Sequence, residues 1–256
     1  MKITAIIPAR LDSRRFPRKV LYEFYGLPMI EHVRRRALLS NAFDDVYVAT
    51  CDEEIASVIY SYGGKVIMTS NSHPNGTSRV AEAVKSINCS HVVLLQGDEP
   101  LFLPRHVEQL IEKIKQNPEI ECWNLTAPID NIEDLDQISI VKCTVSESGR
   151  IIYCYRRSAS ISNFNIQKEF TRKVLGLIAF RKDFLEALVK LPVSRIERHE
   201  SIEQMRVVEN GFVFTSVEVV PSLPSVNEPS EVEIILDSLK NNQEQNLLLS
   251  EILQKF

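Results

Sequence analysis

A short loop near the amino terminus carries five basic side chains, at Arg10, Arg14, Arg15, Arg18 and Lys19. The loop follows an apolar run from Ile3 to Ile7, which predicts the first strand of a sheet. In α/β folds, the loop after such a strand lies where anionic ligands bind, and the N-terminus of the following helix adds a favourable dipole. The loop lacks the glycine spacing of the dinucleotide fingerprint and of the P-loop. We therefore predict a triphosphate held by side-chain cations, the alternative being a solvated surface loop.

A second motif, Gln96-Gly97-Asp98-Glu99-Pro100, follows the apolar run from His91 to Leu95. Consecutive apolar residues in that run are typical of a central strand covered on both faces. The motif is therefore expected at the same edge of the sheet as the basic loop. Asp98 could hold a divalent cation there, because magnesium sites commonly combine one or two carboxylates with phosphate and water oxygens. The alternative is a turn in which Asp98 caps a helix.

The first half of the chain alternates between strand-like and helical patterns. Strands are predicted at Ile3–Ile7, Val46–Thr50, Lys65–Thr69, His91–Leu95 and Glu121–Ala127. Helices are predicted at Met29–Ser40, Glu53–Tyr62, Ser78–Ser86 and Pro104–Gln116. This order predicts an α/β fold with a doubly wound, mostly parallel sheet.

The second half of the chain is richer in strands. Val141–Val145 and Arg150–Tyr155 flank a Ser-Glu-Ser-Gly sequence that is typical of a hairpin. Further elements are predicted at Leu175–Phe180, Asp183–Lys190, Ile196–Asn210, Phe212–Val219 and Ser230–Lys255, the last a long amphipathic helix with a polar break at 241–246. Since no repeat or low-complexity linker interrupts the chain, we predict one domain over 1–256 with a β-rich insertion near 140–185.

Composition excludes several classes of protein. The chain has 256 residues, 44% of them hydrophobic, and a formal net charge of −4, which argues against a general nucleic-acid binder. Its five cysteines form no CxxC pair, so a disulfide scaffold or zinc site is not expected, and a reducing cytoplasm fits best. Neither a signal peptide nor a membrane span is expected from the sequence.

Several motifs occur together in a specific order. They are Arg10-x-x-Ser13-x-Arg15-Phe16-Pro17-x-Lys19, Gly26-x-Pro28-Met29-Ile30, Gly76-Thr77-x-Arg79, Gln96-Gly97-Asp98-Glu99-Pro100, Val141-Lys142 and Glu197-x-x-Glu200-Ser201-x-Glu203-Gln204-x-Arg206. Together they resemble the 3-deoxy-manno-octulosonate cytidylyltransferases. The resemblance extends over nearly the whole chain, from Ile3 to about Val232.

The resemblance implies a nucleotide-diphospho-sugar transferase-like fold, Mg²⁺ as cofactor, and transfer of CMP from CTP to a 3-deoxy-2-ulosonic sugar acid. It also implies a homodimer formed through the β-rich insertion. For nucleotide binding it implies Arg10, Ser13, Arg15, Lys19 and Arg79. For metal binding it implies Asp98 and Asn227, and for sugar binding Gln96, Arg156, Glu203 and Gln204. The residues expected to be catalytic are Arg15, Lys19 and Asp98. The alternative for Glu203 and Gln204 is a solvated helix face.

The sequence departs from the family pattern in the predicted sugar and metal sites. Val174 and Ile178 stand where relatives have His and Tyr, which removes two polar groups from a site for a hydroxylated substrate. The segment 157–161 lacks the family's Ser-Pro-Ile-Pro. Asn227 stands where relatives have the second metal-binding Asp, and an uncharged amide oxygen binds Mg²⁺ more weakly. Glu228, the next residue, is an alternative carboxylate.

These departures leave three hypotheses open. The first is an active cytidylyltransferase for a modified octulosonate such as 8-amino-Kdo, or for another acidic sugar of the acylneuraminate type. The second is ordinary Kdo activation despite the substitutions. The third is a paralogue that binds nucleotide or sugar without catalysis, for which Asn227 is the main argument.

Overall fold

A computed structural model describes residues 1–13, 15–158 and 163–256, so that Arg14 and part of the segment 157–161 lie outside the described residues. The chain forms two compact units. The first comprises Met1–Glu108 and Leu223–Phe256, and the second comprises Gln109–Ser222. The predicted insertion at 140–185 lies within the second unit. The single-domain organisation predicted from the sequence stays a prediction.

The first unit contains a parallel sheet with the strand order β6-β1-β4-β5. Its strands are β1 (Ile3–Ala9), β4 (Asp45–Thr50), β5 (Lys65–Met68) and β6 (His91–Leu95), with a small hairpin of β2 (Glu23–Phe24) and β3 (Leu27–Pro28). Every residue of β1 and β6 is buried, as the consecutive apolar residues predict for strands covered on both faces. The predicted α/β class with a mostly parallel sheet is confirmed.

Helices follow the strands of the first unit in alternation. They are α1 (Met29–Leu39), α2 (Glu53–Ser61) and α3 (Gly76–Ala83), then α4 (Pro104–Gln116), which begins in the first unit and continues into the second, and near the carboxyl terminus α9 (Val232–Asn241) and α10 (Gln243–Gln254). The apolar faces of α9 and α10 pack on Phe24, Leu27 and Met29. The carboxyl-terminal segment therefore shares a hydrophobic core with residues of the amino-terminal half of the chain.

The long amphipathic helix predicted over Ser230–Lys255 with a polar break at 241–246 forms as two helices, α9 and α10, which are separated at Asn242 inside the predicted break. A short 3₁₀ turn, Pro229–Glu231, precedes α9, and the chain is extended at Asn242 between α9 and α10. The Asn242 side chain accepts a hydrogen bond from the Gln245 amide, so the polar break serves as the N-cap of a new helix.

The second unit is built mainly from antiparallel strands. They are β7 (Cys122–Pro128), β8 (Lys142–Val145), β9 (Ile151–Tyr155), β10 (Thr171–Arg181) and β11 (Phe214–Glu218). The predicted hairpin forms between β8 and β9, β10 pairs with both β7 and β8, and β11 runs parallel to β7. Strand β10 is longer than the predicted Leu175–Phe180.

Four helices accompany these strands: α5 (Phe164–Phe170), α6 (Lys182–Leu188), α7 (Arg195–Glu200) and α8 (Met205–Glu209). The sequence analysis did not predict α5. It predicted one helix over Ile196–Asn210, and this prediction is wrong because Ser201 adopts a left-handed conformation (φ 54°, ψ 46°) that ends α7. None of the helices in the described part of the chain combines the length and apolar character needed to cross a lipid bilayer.

His32 in α1 makes the stability of the first unit dependent on pH. Its side chain is fully buried, with Nε2 2.9 Å from the Phe24 carbonyl oxygen, and burial lowers the pKa of the imidazole from 6.5 to about 4. Between these two values the unfolded chain binds a proton that the folded chain does not. The free energy of unfolding should therefore fall by about 3 kcal/mol as the pH drops through this range. Urea denaturation at a series of pH values measures this change.

The same titration on His32→Asn isolates the contribution of the imidazole from that of the carboxylates, which titrate over a similar range. The wild-type protein should lose more stability than the variant between pH 6.5 and 4. Parallel curves for the two proteins would contradict the prediction.

Candidate active site

The predicted nucleotide-site residues of the first unit follow strands whose carboxyl ends meet at one edge of the sheet. The basic loop, residues 10–19, follows β1, and Gln96 follows β6. Strand β1 lies between β6 and β4, and all three run in the same direction. In parallel sheets this carboxyl edge is the usual location of ligands. The sequence therefore places both chemical motifs at the same edge, as predicted.

The basic loop is closed on itself around Leu11. The Leu11 carbonyl accepts hydrogen bonds from the backbone amides of Ser13 (3.0 Å) and Arg18 (2.9 Å). Arg18 adopts a left-handed conformation (φ 62°), and a 3₁₀ turn over Lys19–Leu21 follows it. Hydrogen bonds thus fix the backbone of the loop at Leu11, Ser13 and Arg18, and the side chains of Arg10 and Arg15 are exposed.

The turn after β6 approaches β1 closely, which leaves little room for a side chain at position 97. A Cβ atom on Gly97 would lie 3.2 Å from Cδ1 of Ile30 and 3.4 Å from the Pro8 carbonyl oxygen. These distances are at or below the tight end of ordinary contacts, so a larger side chain would push the turn outward. The glycine therefore lets Asp98 lie beside the basic loop.

Lys19 and Asp98 form an ion pair at the carboxyl edge. Nζ of Lys19 is 2.5 Å from Oδ2 of Asp98 and 3.0 Å from the Val226 carbonyl oxygen. The two side chains are 15% and 23% exposed, so the pair is shielded from water but still accessible. The Val226 amide also donates to the Asp98 carbonyl (2.9 Å). The carboxyl-terminal segment thereby brings Asn227 next to the two predicted catalytic residues.

Arg15 contacts the same carboxyl-terminal segment. Its Nη2 donates to Oδ1 of Asn227 (3.3 Å), and its Nη1 lies 3.4 Å from Oε1 of Glu228. Arg15 and Glu228 are about half exposed, at 54% and 50%. An ion pair so exposed contributes little to stability, about 0–1 kcal/mol, so an incoming anion can replace it at low cost.

Arg79 in α3 is buried and braces the segments that follow β4 and β5. Its Nη1 donates to Oγ1 of Thr69 (2.6 Å) and to the Ser70 carbonyl (3.3 Å), while Nη2 lies 3.5 Å from Sγ of Cys51. The structure thus gives Arg79 a bracing role at the carboxyl edge. Its predicted part in nucleotide binding stays a prediction.

Gln96 lies close to the start of α3. Its Oε1 would be 3.8 Å from a Cβ atom on Gly76, the first residue of α3. Asn75 caps this helix by accepting a hydrogen bond from the Ser78 amide (2.9 Å). The N-terminus of α3 therefore faces the same carboxyl edge as Gln96.

The other predicted sugar-site residues belong to the second unit. Arg156 follows β9, and its guanidinium donates to the carbonyls of Glu200 (2.8 Å), Ile138 (2.8 Å) and Ser201 (3.2 Å). Three of its five N–H groups are used in this way. Glu203 and Gln204 lie between α7 and α8, at the break that replaces the predicted continuous helix. The structure thus brings Arg156 next to the α7–α8 turn.

Lys142 supports the position of Arg156. Its side chain is fully buried, and Nζ donates to the carbonyls of Gln137 (2.8 Å), Ile140 (2.9 Å) and Arg156. Burial away from water lowers the pKa of this ammonium group to about 8. The Val141-Lys142 motif thus corresponds to a structural clamp on the segment that carries Arg156.

The two aliphatic substitutions lie on β10. Ile178 is buried and belongs to the core of the second unit, while Val174 is partly exposed and donates its amide to the Val141 carbonyl (2.9 Å). The pairing of β10 with β7 is irregular between these two residues. Their effect on sugar specificity stays a prediction.

Within residues 1–13, 15–158 and 163–256, no group of three or more His, Cys, Asp or Glu side chains could hold a metal ion. The predicted metal ligands Asp98 and Asn227 contact the basic loop through Lys19 and Arg15, and their part in metal binding stays a prediction. Such a small protein ligand set suits Mg²⁺, which keeps several waters and commonly binds substrate phosphates.

The sequence analysis missed Asp52, which touches the basic loop. Asp52 follows β4 at the carboxyl edge, and its Oδ2 accepts a hydrogen bond from the Leu11 amide (2.9 Å). Its place directly before α2 could have identified it only as a helix cap. The contact joins residues 41 positions apart, and nothing in the local sequence indicates it.

Comparison with known proteins identifies the sequence relatives. A family model described as cytidylyltransferase matches residues 4–219. A 3-deoxy-manno-octulosonate cytidylyltransferase from Chlorobium phaeobacteroides is 37% identical over 243 residues, which are 94% of this chain and 98% of that protein. A protein of the same name from Escherichia coli is 35% identical and covers 91% of this chain and 94% of its own length.

Solved structures with a similar fold include proteins of the same kind. The structure of CMP:2-keto-3-deoxy-manno-octonic acid synthetase complexed with CTP is similar with a TM-score of 0.88 at 33% identity, over 94% of this chain and 99% of that one. The inositol-1-phosphate CTP transferase of T. maritima has a TM-score of 0.70 at 16% identity, over 98% of this chain and 96% of that one, and supports the fold alone. The predicted family resemblance is confirmed.

Proposed function

Since this chain belongs to the 3-deoxy-manno-octulosonate cytidylyltransferase family, we propose that it transfers CMP from CTP to a 3-deoxy-2-ulosonic sugar acid. The observation that carries the proposal is the Lys19–Asp98 pair beside the basic loop, at the carboxyl edge of the parallel sheet. A shielded cation and carboxylate next to exposed arginines suit a triphosphate and its counter-ion.

The proposed reaction is a displacement at the α-phosphorus of CTP. The anomeric hydroxyl oxygen of the sugar acid forms a new bond to this phosphorus, the bond to the β-phosphate oxygen breaks, and the hydroxyl proton is released. The products are the CMP-sugar and pyrophosphate. Such a step depends on holding both substrates in line and on neutralising phosphate charge, rather than on covalent chemistry by the protein.

The basic loop supplies the charge for the triphosphate. Arg10, Arg15 and Lys19 bind the phosphates, and Ser13 donates a further hydrogen bond. Arg15 gives up its exposed contacts with Asn227 and Glu228, and Lys19 turns from Asp98 towards the phosphates. Arg79 holds the surrounding segments in place for the nucleotide.

Asp98 and Asn227 are the residues that would hold Mg²⁺. Asp98 already accepts a cation at 2.5 Å, the Lys19 ammonium, which indicates that its carboxylate suits a positive partner. Bound Mg²⁺ supplies charge neutralisation at the phosphates. Asp98 provides the full negative charge in this ligand pair, while the Asn227 amide oxygen provides only a dipole.

Four polar side chains are the proposed partners of the sugar acid. Arg156 is the partner for its carboxylate, because a guanidinium recognises a carboxylate through paired hydrogen bonds. Gln96, Glu203 and Gln204 bind its hydroxyl groups. The aliphatic Val174 and Ile178 favour an acceptor that differs from ordinary Kdo, such as 8-amino-Kdo, and ordinary Kdo is the second candidate.

Two further parts of the proposal concern the whole protein. A homodimer formed through the β-rich region follows from the family resemblance, and size-exclusion chromatography with light scattering tests it. A reducing cytoplasm suits the five cysteines, all of which are free thiols.

Pyrophosphate release tests the proposed reaction directly. The assay contains CTP, Mg²⁺ and one member of a panel of sugar acids that includes Kdo and 8-amino-Kdo. Turnover with any member supports the proposed class, and the best substrate identifies the acceptor. CTP binding by calorimetry without turnover on any acid would favour the non-catalytic paralogue instead.

Asn227→Asp should lower the Mg²⁺ concentration needed for half-maximal activity by about tenfold, because a carboxylate adds a charged ligand to the proposed pair. A magnesium titration of the pyrophosphate assay measures this change. Asn246→Asp adds the same charge in α10 and serves as the matched control. If the wild-type protein has no turnover and Asn227→Asp gains activity, the result would support the non-catalytic paralogue. An unchanged titration would exclude residue 227 from the metal site.

A further inference from the structure

Asp52 stands at the N-cap position of α2 without capping that helix. Aspartate at this position usually accepts a hydrogen bond from an amide in the first helical turn, worth about 1 kcal/mol. Here the Asp52 side chain makes no such bond, and Oδ2 instead accepts from the Leu11 amide at 2.9 Å. The carboxylate is thus directed away from its own helix and towards the basic loop.

Leu11 connects Asp52 to the rest of the basic loop through its backbone hydrogen bonds. Its carbonyl already accepts from the amides of Ser13 and Arg18, which lie near the two ends of the loop. Because the Leu11 amide donates to Asp52, both backbone polar groups of Leu11 fix the loop. A shift of Leu11 would therefore move Ser13 and Arg18 together, and Lys19 with them.

A second contact joins α2 to the other end of the loop. Arg18 pairs with Glu54 in the first turn of α2. Both side chains are about half exposed, at 56% and 48%, so solvent screens this pair and it contributes little on its own. Asp52 is less exposed and contacts the backbone, which leaves it as the main anchor between α2 and the basic loop.

We propose that Asp52 is a positioning residue for the triphosphate: it holds the basic loop in its binding shape through the Leu11 amide. This inference rests on the proposed function, since it assumes that the loop binds CTP. Asp52 adds negative charge near an anion site, so electrostatics alone would weaken CTP binding. Its value must therefore come from the hydrogen bond, and the two effects can be separated by substitution.

Three substitutions at position 52 separate the effect of the charge from the effect of the hydrogen bond. Asp52→Asn removes the charge but keeps an oxygen that can accept from Leu11, so CTP should bind as tightly as in the wild type or more tightly. Asp52→Ala removes both and should weaken CTP binding by about tenfold. Asp52→Ser restores a helix cap but its side chain is too short to reach Leu11, so it should weaken CTP binding while keeping α2 stable.

Calorimetry with CTP and Mg²⁺ measures binding for all three variants, and the pyrophosphate assay gives separate KM values for CTP and the sugar acid. Only the KM for CTP should rise in Asp52→Ala and Asp52→Ser. Glu53→Ala, in the first turn of α2, is the control for loss of negative charge at this helix end. Thermal melting of each variant checks that the fold is retained.

The outcomes separate the inference from the function on which it rests. Wild-type protein that binds no CTP overturns the proposed function, and the inference with it. If the wild-type protein binds CTP and Asp52→Ser binds it equally tightly or more tightly, the inference alone is overturned. Equal rises in the KM values for CTP and the sugar acid would assign Asp52 a general structural role and also overturn it.

Discussion

Asp98→Asn is expected to lower kcat by about 10²- to 10³-fold at saturating CTP and sugar acid. The substitution keeps the shape of the side chain and removes the one full negative charge in the proposed metal-ligand pair. The backbone carbonyl of Asp98, which accepts from the Val226 amide, is unchanged, so the carboxyl-terminal segment should stay in place. Pyrophosphate release at increasing Mg²⁺ concentrations measures both the lost turnover and the weakened metal binding.

Asp45→Asn is the matched control for this experiment. Asp45 also forms an ion pair with a lysine, Lys65, but at the start of β4, the opposite end of that strand from the carboxyl edge. The same chemical change there should leave turnover within about twofold of the wild type, since that pair lies away from the carboxyl edge and its lysine is 60% exposed. Turnover of Asp98→Asn close to that of the control would remove Asp98 from the catalytic residues.

The parallel sheet could be predicted from sequence because its signals are local. The apolar runs that became β1 and β6 are short, continuous and followed by polar turns, which is typical of strands covered on both faces. Once the strands are parallel, their carboxyl ends must meet at one edge. The proximity of Lys19 and Asp98 then follows from the position of each motif directly after its strand.

The helix break at Ser201 could not be predicted from periodicity, whereas the polar residues at 241–246 indicated the break at Asn242. The amphipathic pattern runs through Ser201, which adopts a left-handed conformation that ends α7. Asn242 is extended and lies within the polar break. At Asn242 the side chain caps the next helix, and at Ser201 the carbonyls of Glu200 and Ser201 accept hydrogen bonds from the distant Arg156. The first break matters for the proposed function, because it presents Glu203 and Gln204 on a turn rather than on a helix face.

Contacts between segments that are distant in sequence could not be predicted either. Val226, Asn227 and Glu228 reach Lys19, Asp98 and Arg15 only because α9 and α10 pack on the core of the first unit. Asp52 looks like a helix cap until the fold brings Leu11 beside it. Residue types predicted which groups could bind phosphate. The fold determines which of them are held in place, and by what.

Lys19→Met is expected to change metal binding and catalysis in opposite directions. In the structure, the Lys19 ammonium lies 2.5 Å from the carboxylate that would hold Mg²⁺, so it competes with the metal when no nucleotide is bound. Its removal should tighten Mg²⁺ binding to the nucleotide-free protein by several-fold. It should also lower kcat/KM for CTP by about 10²-fold, because the triphosphate loses a shielded cation. Calorimetry with Mg²⁺ alone and the pyrophosphate assay measure the two effects.

Lys65→Met provides the control, because it removes the lysine of the other Lys–Asp pair and should affect neither measurement. The opposite signs are the critical part of the prediction. A lysine that merely stabilises the fold would weaken both metal binding and turnover when it is lost. A lysine that binds only phosphate, without competing for Asp98, would lower turnover and leave Mg²⁺ binding unchanged. Only a side chain that moves from Asp98 to the triphosphate produces tighter metal binding together with slower catalysis.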